Sequence, residues 1–192
     1  MTESIKFDPK KLEKLNNPDR AKTLNPDLIW ETLNMSNPEA LVDVGAGTGF
    51  FASLFCKKMT QGKIYACDTA DIMINWMKEN LSNEGNCSII PTKCEENLIP
   101  IPDGIADLAY FINLYHELEE PKSMLLESYR LLKNSGKIAV IDWKPEETPE
   151  GPPAKIRISE NIVFNHLEAS GFTNIKNHNI LPYHYFFTGE KL

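Results

Sequence analysis

The chain is poor in the features that mark specialised protein classes. Four cysteines among 192 residues (Cys56, Cys67, Cys87, Cys94) form no C-x-x-C pair, so the spacing offers neither a zinc cluster nor a redox dithiol. No apolar run approaches the roughly 20 residues that cross a bilayer. The opening MTESIKFDPKKLEKLNNPDR is charged throughout and lacks the apolar stretch of a secretory signal. There are 20 basic and 27 acidic side chains, a net charge of −7, and no dense Lys/Arg block, which disfavours DNA or structured RNA as partner. Internal repeats and low-complexity tracts are missing, and no carboxylates cluster for a divalent metal. Without a secretory signal, the four thiols are expected to be reduced and mostly buried as small hydrophobes. The expected compartment is the cytoplasm.

What is present is an ordinary globular composition, 42% apolar and 24% charged. The length suits one domain at about 150 residues each. The apolar pattern alternates strand and helix. Leu41–Val44 reads as a strand, followed by Gly45-Ala-Gly47-Thr-Gly49 and a helical face of Phe50, Phe51, Leu54, Phe55 and Met59. A second strand spans 62–68 and ends on Asp68; Ile72, Met73, Trp76, Met77 and Leu81 recur at helical spacing. Further strands are expected at 87–90, 107–113 and 137–143, with a helix opening at Pro121 and stopped by Asn134-Ser-Gly136. The stretch 144–154 carries four prolines and joins no regular element. Ser159 reads as the N-cap of a last helix, and 173–178 and 183–188 as two closing strands. Only 179–182 links those two, too short for a crossover, so they should run antiparallel. The expected fold is α/β: a doubly wound, mostly parallel seven-stranded sheet with helices on both faces and an antiparallel C-terminal edge hairpin. Residues 1–40 form an N-terminal cap or helical segment ahead of a domain at 41–192.

Ligands of such sheets bind at the carboxyl ends of the strands. Three glycines at alternate positions directly after the first strand let a ligand approach the backbone there, although positive φ alone could also call for glycine. The dinucleotide fingerprint G-x-G-x-x-G fails, because Phe50 holds the third glycine position. Asp43 would also repel a pyrophosphate, whereas it suits a ligand carrying an amine and a sulfonium. Asp68, 19 residues after Gly49, is placed to accept from ribose hydroxyls or to cap the next helix.

The run Leu41-Val-Asp-Val-Gly-Ala-Gly-Thr-Gly-Phe50, with Asp68 closing the next strand, resembles the class I S-adenosylmethionine-dependent methyltransferases. Glu95-Glu-Asn-Leu-Ile-Pro-Ile-Pro-Asp-Gly-Ile-Ala-Asp107 is similar to a D-A-x-x-L-P-x-P-D-x-x-F-D segment of their small-molecule, ubiquinone/menaquinone C-methylase-like branch. Glu95 there replaces the aspartate and Ala106 the phenylalanine. His116-Glu-Leu-Glu-Glu-Pro121 resembles that branch's H-x-L-x-x-P. The resemblance implies a Rossmann-like domain with S-adenosyl-L-methionine as cofactor. Gly45, Ala46, Gly47 and Gly49 would approach its methionine and ribose portions, and Asp43 would favour its ammonium. Asp68 would hold the ribose, with Ile72 and Met73 against the adenine and Cys94 and Glu95 at its edge. Phe111, Ile112 and Asn113 would line the methionine side.

Methyl transfer needs positioning, water exclusion and, for some acceptors, proton removal. His116 is the candidate base, with a structurally satisfied strand-end histidine as the alternative. Asp142, at the end of the fifth strand, is a second candidate that could equally cap a loop; Tyr115 is read as packing. Residues 5–30 and 144–154 could cover the site, with Asn17, Asp19 and Arg20 facing the ligand. The function expected is methyl transfer to a small-molecule acceptor whose accepting atom the sequence leaves open, as it does the oligomeric state. The rivals are a non-catalytic S-adenosylmethionine-binding protein or partner-dependent subunit, and an NAD(P)-dependent oxidoreductase.

Overall fold

The computed structural model describes residues 9–81 and 86–192. Residues 5–8 of the expected covering segment, Phe7 among them, lie outside the described residues. The chain opens with three short helices, α1 (Pro9–Leu15), α2 (Arg20–Leu24) and α3 (Pro26–Leu33). Then come β1 (Ala40–Val44), α4 (Phe50–Cys56), β2 (Gly62–Asp68), α5 (Asp71–Asn80), β3 (Cys87–Lys93), β4 (Ala106–Ile112) and α6 (Pro121–Leu131). It closes with β5 (Leu132–Trp143), α7 (Glu160–Ala169), β6 (Thr173–Asn177) and β7 (His184–Glu190). The sheet order is β3-β2-β1-β4-β5-β7-β6. β7 pairs antiparallel with both β5 and β6, so it alone runs against the sheet. The closing pair is therefore antiparallel as expected, and β7 lies inside it while β6 takes the edge.

Strand alternation divides the core between the two faces. Leu41, Ile64, Leu108, Tyr110 and Ile141 pack with Phe51, Phe55, Ile74 and Met77 of α4 and α5, and with α3. Val42, Ala109, Phe111, Val140, Tyr185 and Phe187 pack with α6 and α7 through Met124, Leu125, Leu131, Val163 and Leu167. Pro121 occupies the first turn of α6, where its missing N–H costs nothing.

Two expectations need correction. The turn at 134–136 does not precede the fifth strand but is absorbed into β5, which begins at Leu132. Its register against β4 slips between Ala106 and Leu108, and Ser135 takes a φ of +63°. The cysteines are not all reduced: Cys56 and Cys87 form a disulfide across a sequence separation of 31. Cys56 ends α4 and Cys87 begins β3; packing of that helix on the sheet brings the two wholly buried sulfurs together. Cys67 and Cys94 are buried free thiols.

The proline-containing segment before β4 is held by charge. Arg130 donates to the carbonyls of Ile99 (3.0 Å) and Ile101 (3.1 Å) and pairs with Asp103. Glu127 binds Arg130 at 2.6 Å and accepts from the Ile99 N–H at 2.7 Å. Among the described residues no helix is long and apolar enough to cross a membrane.

Candidate active site

A cavity of about 870 Å³ opens at the carboxyl ends of β1, β2, β4 and β5, roofed by α1 and α2. Its floor is the turn between β1 and α4. Gly45, Gly47 and Gly49 all have positive φ, +69°, +57° and +71°. The φ of Gly45 demands glycine, and a Cβ there would also stand 2.5 Å from the Leu114 side chain, which would have to shift. The Gly47 N–H donates to Asp68 Oδ2 (2.8 Å) and the Ala46 N–H to the Cys67 carbonyl (2.8 Å), tying the turn to the end of β2. Asp68 Oδ1 accepts from the Ala70 N–H at 2.8 Å, so the carboxylate braces the start of α5 as well.

Asp43 is 4% exposed, and its Oδ2 has no hydrogen-bond partner. Burial raises its pKa to about 7, a rise opposed by the neighbouring Tyr110 hydroxyl and the Arg20 guanidinium. Arg20 lies over the Phe50 and Phe51 rings, 5.2 Å from each centroid, and donates to the Leu15 carbonyl at 2.6 Å. Asn113, at φ +58°, offers a second unpartnered acceptor, its buried Oδ1. Two orphaned acceptors in the wall of a glycine-floored cavity fit a ligand that carries a cation and hydrogen-bond donors. S-adenosylmethionine is such a ligand, with its ammonium and ribose hydroxyls.

On the β4–β5 side, His116 and Asp142 form a pair. Asp142 is fully buried; its Oδ2 accepts from the His116 N–H (2.9 Å) and its Oδ1 from the Trp143 N–H (2.7 Å). His116 Nδ1 stands 2.8 Å from Oδ1 and 3.0 Å from Oδ2. Burial pulls the imidazole pKa down, but the hydrogen bond and charge of Asp142 outweigh it and leave it above the ordinary histidine value. A carboxylate accepting at Nδ1 selects the tautomer whose Nε2 carries a lone pair. Next to it, Tyr115 is packing: its ring is buried and its hydroxyl meets His166 Nδ1 at 3.0 Å.

Of the residues singled out from sequence, Asp43, Gly45, Ala46, Gly47, Asp68, Met73, Cys94, Ile112, Asn113 and His116 line this cavity, as do Asn17, Asp19 and Arg20. Five stand off its wall. Gly49 faces Leu81 and Met77 instead. Ile72 is 39% exposed on the outer side of α5, while Met73 turns inward. Glu95 is exposed, its backbone bridged to Leu98, and the next two residues, Glu96 and Asn97, reach the cavity. Alternation along β4 sends Phe111 into the core against Tyr115, centroids 6.1 Å apart. Asp142 sits behind His116 rather than beside it. Cys94 carries a thiol that burial pushes up to about 11, which suits packing rather than reactivity.

The proline-rich stretch contributes Glu150, Gly151 and Pro152 to the wall. It is strapped rather than loose, because the nearly buried Arg157 donates to four of its carbonyls. These are Lys144 (3.1 Å), Glu146 (2.6 Å), Glu150 (3.4 Å) and Pro152 (2.7 Å). The same guanidinium lies 5.2 Å from the Trp143 ring centroid. Sequence reasoning missed Arg157 and Trp143, and no local motif signals either. It also missed His184, fully buried against Trp143, whose pKa burial lowers to about 4. Among the described residues no three His, Cys, Asp or Glu side chains are grouped to hold a metal ion.

Comparison with known proteins agrees with this geometry. A family model described as a methyltransferase domain matches residues 42–140. The ubiquinone/menaquinone biosynthesis C-methyltransferase of Desulfotalea psychrophila is 24% identical over 132 residues, 66% of this chain and 52% of that protein. The demethylmenaquinone methyltransferase of Bacteroides fragilis is 28% identical over 140 residues, 71% of this chain and 52% of that one. The chain thus spans about half the length of these curated relatives. A solved structure, a SAM-dependent methyltransferase from Aquifex aeolicus, is 32% identical with a TM-score of 0.85, covering 97% of this chain and 100% of its own.

Proposed function

The chain belongs to the methyltransferase domain family, and on that premise we propose that it transfers a methyl group from S-adenosylmethionine to a small-molecule acceptor. The observation that carries this reading is the buried Asp43 carboxylate at the head of a three-glycine turn, its Oδ2 left without a hydrogen-bond partner. Asp43 takes the donor's ammonium, and Arg20 offers a guanidinium for its carboxylate. Asp68, held at the end of β2 by the Gly47 and Ala70 N–H groups, accepts from the ribose hydroxyls. Met73 packs on the adenine, Ile72 guards the outer side of the same turn, and Cys94 and Glu96 stand at the adenine edge, with Glu95 displaced outward. When bound, the donor supplies a methyl group on a sulfonium, which leaves as a neutral thioether, so no nucleophilic side chain is required.

The chain's own task is to hold and deprotonate the acceptor. His116 receives the proton at Nε2, and Asp142 is a positioning residue that fixes the tautomer and stabilises the imidazolium. This pairing favours turnover over a purely binding role. Residues 1–40 act as the cap and 41–192 as the donor-binding domain; α1 and α2 over the cavity support a small acceptor. An enzyme consuming this donor needs a compartment that supplies it, and we assign the cytoplasm; both sulfurs of the disulfide are wholly buried.

Calorimetric titration with S-adenosylmethionine, S-adenosylhomocysteine and NADH tests the donor. Micromolar binding of the two sulfur ligands, lost in Asp68→Ala, is expected; binding of NADH alone would sink the reading. Failure to form S-adenosylhomocysteine with any acceptor despite tight binding would move the protein to the non-catalytic class.

A further inference from the structure

The charge of the molecule is concentrated on the wall of this one cavity. Eight acidic and only two basic residues line it, which is minus six of the chain's formal minus seven. The rest of the chain, 19 acids and 18 bases, is close to neutral. Two of the acids, Asp43 and Asp68, belong to the donor's end. The other six come from four segments that converge on the opening: Asp19, which pairs with Lys22, then Glu96, then Glu117, Glu119 and Glu120 on one stretch ahead of α6, and Glu150. A cleft lined by one sign of charge focuses the field and concentrates the opposite ion.

A second observation points to what that ion meets. The His116 side chain is only 6% exposed, faces this cavity, and has its Nδ1 committed to Asp142. Its Nε2 has Glu117 Oε1 as a neighbour at 3.8 Å, beyond hydrogen-bonding distance. A buried base beside a carboxylate, under an acidic rim, is arranged for a substrate that arrives protonated and positive. Resting on the methyltransferase reading above, we propose that the acceptor is a cationic amine, held as its ammonium beside Glu117 and deprotonated by His116. The step balances: the ammonium gives one proton to His116 Nε2, and its freed lone pair forms the N–CH3 bond. The S–CH3 bond breaks with its electron pair going to sulfur. The product is an N-methylammonium and a neutral thioether. The acidic rim then rejects carboxylates and phosphates by the charge that attracts the amine.

Phenethylamine, 2-phenylethanol and 3-phenylpropionate, three probes of one shape and different charge, are titrated calorimetrically into protein saturated with S-adenosylhomocysteine and into ligand-free protein. The expected result is amine binding at least tenfold tighter than the alcohol, no measurable acid binding, and weakening at higher salt. In Glu117→Gln/Glu119→Gln, two exposed positions, the amine preference should fall below threefold while S-adenosylhomocysteine affinity holds. Equal binding of alcohol and amine, preference for the acid, no amine binding at all, or a preference that survives the double variant would each overturn the proposal. Loss of S-adenosylhomocysteine binding in the parent protein would instead fall on the donor assignment, and the ligand-free titration still reads the amine preference.

Discussion

Asp43→Asn should separate function from stability in opposite directions. With its pKa at about 7 against an ordinary 3.8, Asp43 keeps a proton in the folded state that it releases in the unfolded chain. Stability from this group is therefore greatest at acid pH, declines as pH rises from about 4 to 7, and then levels off. That rise in pKa corresponds to about 4 kcal/mol at pH 8, the cost of ionising Asp43 in its buried position. Asparagine has the same shape and no charge to desolvate. The ligand-free variant should therefore melt above the parent at pH 8, by about 8–16 °C at 2–4 °C per kcal/mol for a domain this size, with the gap shrinking towards pH 5. Donor affinity should move the other way. Loss of a hydrogen bond between charged groups, about 1.5–3 kcal/mol, predicts binding roughly 10- to 150-fold weaker. In the parent, affinity should rise as pH passes through 7. Calorimetric melting at pH 5 and 8, with donor titrations on both proteins, checks this. A variant no more stable than the parent that binds the donor normally would refute the assignment of Asp43 as an orphaned carboxylate awaiting a cation.

Other expectations follow from the same structure. Thiol titration in denaturant without reductant should read two thiols per chain, and Cys56→Ala/Cys87→Ala should lose about 4 kcal/mol from reopening a 31-residue loop; four thiols in the untreated protein would refute the disulfide. Activity should rise with pH as His116 loses its proton. Asp142→Asn should shift that acid limb to lower pH and reduce the plateau, because the group that raises the imidazole's pKa is gone; an unmoved limb would argue against their coupling. Arg157→Ala should expose 145–152 to protease and hydrogen exchange while donor affinity changes less than threefold, and an equally protected loop would show that the strap is dispensable.

The parts of this protein legible from sequence are those encoded within a few residues. Leu41–Val44 with its glycine turn, Asp68 at the end of β2, and Pro121 opening α6 each announce themselves through local periodicity or backbone demand. That was enough for the seven strands, the helices on both faces and most of the glycine-floored wall of the cavity. Single residues failed where one position of alternation decides the side: Met73 rather than Ile72 turns inward, Glu96 rather than Glu95, Ile112 rather than Phe111.

The glycine turn and the carboxylates beside it are written into short stretches of the chain, because glycine φ angles and an acid after a strand are local properties. Tertiary structure alone decided the rest. His116 and Asp142, 26 residues apart, become one unit only when β4 and β5 pair in their particular register. Arg157 straps a loop up to 13 residues behind it, Cys56 finds Cys87 across a helix–sheet contact, and six carboxylates from four separate segments meet at one opening. Contacts between distant residues depend on register, twist and packing of elements that no short window contains, and in this molecule those contacts shape the β4–β5 side of the cavity.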